Sequence, residues 1–434
     1  MDETSSRSGS ASADDIALIS ATARLLFENG ETTRWMIRAI ERLGEALGFS
    51  ARVYPRWDEL SIRVDDAAGA RYDIVAASPL GVDMSKVAAV INVVDSLYEG
   101  RIDAAKARVE IETVRRRAPV ALGRFAVMAG AGAAALGVIF GVADLAALVV
   151  IACSAAAGGV LRRYLSWISS NPFVQPFCAA LLAGIIGGLA ARFGLSTAQR
   201  LIAVCPCMVL VPGPHLLNGT IDLTRGRIAL GASRVAYASG ITLAICAGLI
   251  LGLALGGIDL PVTAQAPSVA LSYDVIAAGV AVAAYGTFFA LSWRMLPIPI
   301  LIGMAAHALR WGMITLAGAS PETGALVACL LVGTVVTPIT DRLRLPFAAF
   351  AFASVVSMIP GVFLFRMADG LVQIMREGRA APYDLLLGTI VDGVTAFLII
   401  LVMTFGLIVP KMCIEYFFPP YAASGKPGVA TKPH

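Results

Sequence analysis

The chain has 434 residues, 58% hydrophobic and only 15% charged, with a mean hydropathy of +0.78. Soluble chains carry about 25% charged residues and at most about half apolar ones, so a wholly soluble protein is excluded. A net charge of +4 is too small for a nucleic-acid surface and fits loop charge that orients a membrane protein.

Met1 to Ala13 is Ser-rich and polar. It reads as a disordered tail over 1–13, with no apolar stretch after a basic start and therefore no cleavable leader. Residues 14–116 read as a compact α+β soluble domain. Ile16, Leu18, Ile19, Ala23, Leu25 and Leu26 recur at helical spacing, and Asn29-Gly30 breaks that helix. Thr32 or Thr33 can cap a second helix that ends at Gly48. Strand-like runs follow at Ala51–Tyr54, Glu59–Val64 and Arg71–Val75, then helices over about Ser85–Tyr98 and Ile102–Arg116. This domain has no histidine, cysteine or phosphate-binding loop, and Asp58-Glu59 and Asp65-Asp66 read as solvated turn residues.

Beyond Arg117 long apolar runs dominate. A helix crossing a hydrocarbon core of about 30 Å needs roughly 20 apolar residues. Ten spans fit: 119–139, 142–161, 172–191, 200–221, 235–256, 270–292, 297–317, 322–340, 346–366 and 385–409. They divide into five-helix modules over 117–257 and 258–412, followed by a C-terminal tail over 413–434. Gly184-x3-Gly188 and Gly248-x3-Gly252-x3-Gly256 allow close helix packing in lipid. With the N-terminus inside, twelve loop Lys/Arg fall inside and six outside, which favours a cytoplasmic N-terminus. The six are Arg192, Arg200, Arg310, Arg366, Arg376 and Arg379. Cysteines lack CxxC spacing, so no metal site or disulfide frame is expected; Cys205-Pro206-Cys207 reads as small side chains within a span.

The most informative feature is a duplication. Val211-Pro212-Gly213 in the fourth span resembles Ile359-Pro360-Gly361 in the ninth, 148 residues later. At the same offset Leu161-Arg162 meets Leu309-Arg310. Five helices per half is odd, so the second half must enter the membrane in the opposite sense: a 5+5 inverted repeat, as in many secondary transporters. Proline removes a donor and breaks the helix, and matched breaks in the two halves point to a binding site. A half-helix N-terminus there offers partial positive charge to a carboxylate. Pro212, Gly213, Pro360 and Gly361 are therefore candidate substrate-binding residues.

Polar groups at membrane depth are costly and are functional candidates. His215, Asn218 and Asp222 follow the first break on one helix face and join the substrate-binding set. Asp369 follows the second break; like Asp222, it could instead cap a helix or pair with a nearby arginine, Arg225 for Asp222 and Arg366 for Asp369. His307 and Asp392 lie inside the seventh and tenth spans, and with Asp369 they are the candidates for proton coupling. Asn171-Pro172 and Gln175-Pro176 make the third span's start irregular and offer amide or carbonyl ligands. No nucleotide-binding loop is present, so ion or proton drive replaces ATP. One charge moved through 100 mV releases about 2.3 kcal/mol. That supports a gradient of roughly fifty-fold. No cofactor is expected, and neither HExxH nor GxSxG appears as it would in an intramembrane enzyme.

These residues resemble the bacterial threonine/serine exporter family. The resembling stretches are Leu25-Leu26-Phe27-Glu28-Asn29-Gly30-Glu31-Thr32-Thr33-Arg34 and Ala46-Leu47-Gly48; then Val211-Pro212-Gly213, Asn218, Asp222 and Gly231–Arg234; then Ile359-Pro360-Gly361. The pattern departs at Thr33, where an aromatic is expected, and at His215. The resemblance implies a multi-pass protein of the bacterial inner membrane that exports threonine or serine on the proton motive force. Relatives split into two chains imply dicarboxylate export as the alternative, with a membrane scaffold or intramembrane enzyme as the competing class. Implied partners are a small-molecule substrate, protons, the lipid bilayer and a second copy in a homo-oligomer, with no nucleic acid.

Overall fold

The computed structural model describes residues 11–195, 199–257, 269–343, 345 and 347–417. Of the tails expected over 1–13 and 413–434, residues 1–10 and 418–434 lie outside the described residues, as do the first residues of the second module (258–268), Arg344 and the side chain of Arg200. Ser12 and Ala13, expected in the disordered tail, cap and open the first helix.

Helix α1 (Ala13–Glu28) opens with a reciprocal capping box in which Ser12 and Asp15 satisfy each other's backbone N–H. It ends at Asn29, and Gly30 takes the left-handed conformation (φ +89°) that turns the chain into α2 (Thr33–Leu47). Strands β1 (Ser50–Arg56), β2 (Glu59–Asp66) and β3 (Gly69–Ala76) form an antiparallel meander in which Val53 faces Ile62 and Val64 faces Arg71. Leu60, Ile62 and Val64 alternate inward on β2. Helices α3 (Met84–Tyr98) and α4 (Ala104–Arg115) complete this N-terminal unit, capped by Asp83 and Asp103. Leu26, Phe27, Met36, Ile40 and Leu60 form its core.

Among the described residues eight helices are long and apolar enough to cross a membrane, and two bent pairs raise the number to ten. In order they are α5 (Leu122–Ile139), α6 (Leu145–Ile168), α7 (Val174–Arg192), the pair α8 (Gln199–Met208) and α9 (Gly213–Thr224), and α10 (Ile228–Leu255). Then come α11 (Leu271–Phe288), α12 (Pro297–Thr315), α13 (Pro321–Leu343), the pair α14 (Phe347–Val355) and α15 (Gly361–Glu377), and α16 (Tyr383–Phe417). The ten expected spans are thus present, with the fourth and ninth bent by 53° and 59°. Residues 413–417, expected in the C-terminal tail, belong to α16 instead, and ion pairs hold this last turn, as described below.

Packing repeats between the halves. Helix α7 lies along α10 as α13 lies along α16, and α6 meets α5, α7 and α8 as α12 meets α11, α13 and α14. The glycine ladders interlock: a Cβ on Gly252 would stand 2.4 Å from the Leu181 carbonyl, and one on Gly188 2.9 Å from the Cα of Gly256. In the second half Gly333 and Gly406 sit at the same kind of crossing, Gly333 against the Gly406 and Leu407 carbonyls.

Candidate functional site

The two breaks share one local geometry. Pro212 (φ −83°, ψ 61°) and Pro360 (φ −77°, ψ 41°) each centre a tight turn. In one, the Gly213 N–H donates to the Val211 carbonyl at 2.9 Å; in the other, the Gly361 N–H donates to the Ile359 carbonyl at 2.8 Å. The next bonds also match at the 148-residue offset: Leu216 N–H to Pro212, and Leu364 N–H to Pro360. Helices α9 and α15 then start, so each break presents a helix N-terminus at mid-bundle.

The breaks also touch across the halves. A Cβ on Gly213 would fall 1.4 Å from Cζ of Phe352 on α14, and one on Gly361 2.8 Å from Cγ of Met208 on α8. A small cavity lies between them, lined by Gly213, Leu217, Phe352, Ile359, Pro360 and Met403 among others. Pro212, Gly213, Pro360 and Gly361 are therefore brought together, but the space between them is apolar.

His215, Asn218 and Asp222 are brought together on one buried face of α9, turned toward the N-terminal unit. The Asn218 amide donates to the Gly30 carbonyl at 3.0 Å. The Thr33 hydroxyl donates to Asp222 at 3.0 Å, so it caps nothing on its own helix, and Thr32 makes no side-chain cap either. Asp222 pairs with Arg227 and Arg234 at 3.4 Å each, rather than with Arg225, the arginine named as its alternative partner. Arg234 is 1% exposed and stacks over Phe27. His215 packs edge-on to Tyr237, which Trp57 also meets. Beside them the Met84 N–H donates to the Phe289 carbonyl at 2.8 Å.

Glu415 at the end of α16 gathers Arg34, Arg225 and Lys411, the last two at 2.9 and 3.2 Å. Glu31, beside the dock and 1% exposed, has its carboxyl pushed up to about 7 by burial; Thr32 contacts pull the other way. Sequence reasoning missed this dock, although the motif Asn29-Gly30-Glu31-Thr32-Thr33 was its signal.

The coupling candidates part company. Asp392, expected as a proton-coupling residue inside the tenth span, pairs with Arg366 at 2.9 Å. Arg366 is thus a helix residue of α15 and no loop charge, and Asp369 accepts from Gln373 at 2.6 Å. Arg310 likewise sits within α12. His307 is fully buried; its Nδ1 faces Asp274 at 3.0 Å and its Nε2 faces the Ser357 hydroxyl at 2.6 Å. Asp274 lies in the first turn of α11 and Ser357 three residues before Pro360, so the line runs from a helix end to the second break. This Asp–His–Ser order was not legible in the sequence. It has the order of a hydrolytic triad, but Ser357 is 1% exposed in packed surroundings. Asn171 accepts from the Phe173 N–H at 2.9 Å in a local turn, so its amide oxygen serves the start of α7.

A family model described as "Putative threonine/serine exporter" matches residues 17–256, and a second, described as "Threonine/Serine exporter, ThrE", matches residues 274–413. A "Threonine/serine exporter" of Corynebacterium glutamicum is 28% identical over 254 residues, 57% of this chain and 51% of that protein. A "Probable succinate transporter subunit YjjP" of Klebsiella aerogenes is 31% identical over 99 residues, 23% of this chain and 38% of that protein. The Escherichia coli protein of the same description is 30% identical over 99 residues, 23% of this chain and 39% of that protein. The chain thus spans about half or less of the length of these relatives. No solved structure matches.

Proposed function

The chain belongs to the threonine/serine exporter family, a family of transporters and not of enzymes, and from that premise we propose that this multi-pass membrane protein exports small hydrophilic amino acids, threonine or serine. The observation that carries the reading is the pair of Pro-Gly breaks with one geometry, in contact across the two halves. In secondary transporters broken helices of this kind place half-helix ends at a midplane site, and rocking of one half against the other alternates access. The matched helix packing supports reading the halves as an inverted repeat. In that reading the N-terminal unit is cytoplasmic and the protein resides in the bacterial inner membrane as a homo-oligomer.

Export is driven by the proton motive force in this proposal. Of the three coupling candidates His307 is favoured, because Asp392 and Asp369 already have side-chain partners that need no proton. A carboxylate only accepts, so neutral His307 directs its Nδ1 proton to Asp274 and accepts the Ser357 hydroxyl at Nε2. A second proton on Nε2 reverses that contact and makes the imidazole a donor to Ser357, beside the break.

A second reading, dicarboxylate export, is favoured by the match of 99 residues to the succinate transporter subunits. One assay separates the two. Cells with and without the gene are fed a threonine-containing dipeptide, and intracellular threonine is followed. Lower accumulation and faster efflux with the gene are expected; equal curves reject the amino-acid substrate.

A further inference from the structure

Breaking α8 at Met208 strips three carbonyls of their usual donors. The helical partner of Met208 is Pro212 and that of Leu210 is Pro214, neither of which has an N–H. The partner of Val209 is Gly213, whose N–H goes to Val211 instead. Met208 recovers the Tyr285 hydroxyl, at 2.8 Å. The Val209 and Leu210 carbonyls recover no backbone donor among the described residues, and both residues line a narrow cavity beside the break.

Across that cavity stand Arg162 and Ser154 of α6. Arg162 Nε and Ser154 Oγ are buried and have no hydrogen-bond partner among the described residues. A buried donor without an acceptor is costly, and one on a charged guanidinium more so. The walls are Phe125 and Phe288 with Gly158 and Ala155, small or flat surfaces that leave little room for a long side chain.

We infer that this cavity is the seat of the transported molecule and that Arg162 is its carboxylate-binding residue; the inference rests on the export reading above. The groups present are those a zwitterionic α-amino acid needs. The guanidinium fork and the Ser154 hydroxyl donate to a carboxylate. The Val209 and Leu210 carbonyls, at the negative end of α8, accept from an ammonium. The small walls admit a hydroxymethyl or hydroxyethyl side chain. The cavity is narrow in this conformation, so loading requires α8 and α9 to straighten or part at their hinge, which ties occupancy to rocking. At the matching position of the second half stands Arg310, whose Nε is likewise buried and without a hydrogen-bond partner among the described residues.

The test uses the purified full chain in nanodiscs, with binding read by calorimetry and folding by melting temperature. L-Threonine is expected to bind wild type, and L-threoninamide, which lacks the carboxylate, is not. Arg162→Gln is expected to lose threonine binding and Arg162→Lys to keep a weakened form of it, because lysine retains the charge without the fork. Undiminished threonine binding by Arg162→Gln overturns the inference while leaving the export reading in place. Succinate binding without threonine binding, lost in Arg162→Gln, rejects the amino-acid substrate and keeps the carboxylate seat. Binding of neither compound by wild type overturns both. If Arg162→Gln does not fold, Ser154→Val decides: it removes a donor and fills the same cavity, and unchanged affinity in it overturns the inference.

Discussion

Gly213 lies so close to Phe352 that a single methyl group would overlap the ring: the nearest ring carbon would stand 1.4 Å from a Cβ at position 213. This contact joins the first break to the helix that precedes the second, and it makes the junction of the halves intolerant of volume.

Gly213→Ala is therefore expected to be the more damaging of the two glycine substitutions. Overpacking costs about 1–3 kcal/mol where neighbours can shift, and Phe352 is 5% exposed among packed residues. Gly361→Ala meets the flexible Met208 side chain instead and should cost less. Melting temperatures of the two purified variants check the order; equal losses would show that Phe352 moves aside freely.

Asp222 is the anionic centre of the dock. Asp222→Asn leaves Arg234 buried beside a neutral group, which costs about 3–5 kcal/mol for a broken buried pair. Thr33→Val removes only one hydrogen bond and should cost about 1 kcal/mol. Thermal unfolding of both variants is the measurement, and a Thr33→Val loss as large as that of Asp222→Asn contradicts the assignment.

Glu31 gives the dock a pH dependence. Its carboxyl titrates at about 7 when folded and near 4.5 when exposed, so the folded chain holds the proton more tightly. The stability this provides is complete below the unfolded value and is lost as pH rises through about 7. The shift corresponds to roughly 3 kcal/mol between the two limits. Glu31→Gln should flatten that slope, so the wild-type melting temperature falls relative to the variant between pH 5 and 8. Parallel curves for the two proteins would refute it.

Glu415 holds three cations, among them Lys411, which is 3% exposed. Glu415→Ala should release the last turn of α16 from Arg34 and Arg225. Hydrogen exchange at 411–417 is expected to accelerate, with little change along α13.

For coupling, His307→Gln is expected to abolish proton-driven net threonine efflux from proteoliposomes and to spare threonine–threonine exchange. Exchange needs only the loaded carrier to reorient, whereas net flux needs a proton to return. Loss of both activities would make His307 a packing residue.

Much of this protein was legible from its residues. Apolar runs of about 20 residues have one solution in lipid, because every backbone group must be satisfied within the helix. Proline cannot donate, so Pro212 and Pro360 announced their breaks, and the 148-residue offset announced that the breaks are alike. The strands of the N-terminal unit followed from alternation, which the pleat imposes. Pairings between distant segments were not legible. The partner of Asp392 was hidden because Arg366 is 26 residues away in sequence and adjacent only after α15 packs on α16. Nothing local shows that Gly30 and Thr33 fold back onto Asn218 and Asp222. Ser357, His307 and Asp274 come from three elements and meet only in the bundle. Periodicity and backbone chemistry are local, so the sequence alone determined the helices, their breaks and their duplication. Which buried charge neutralises which depends on contacts between remote segments, and that was decided only by tertiary packing.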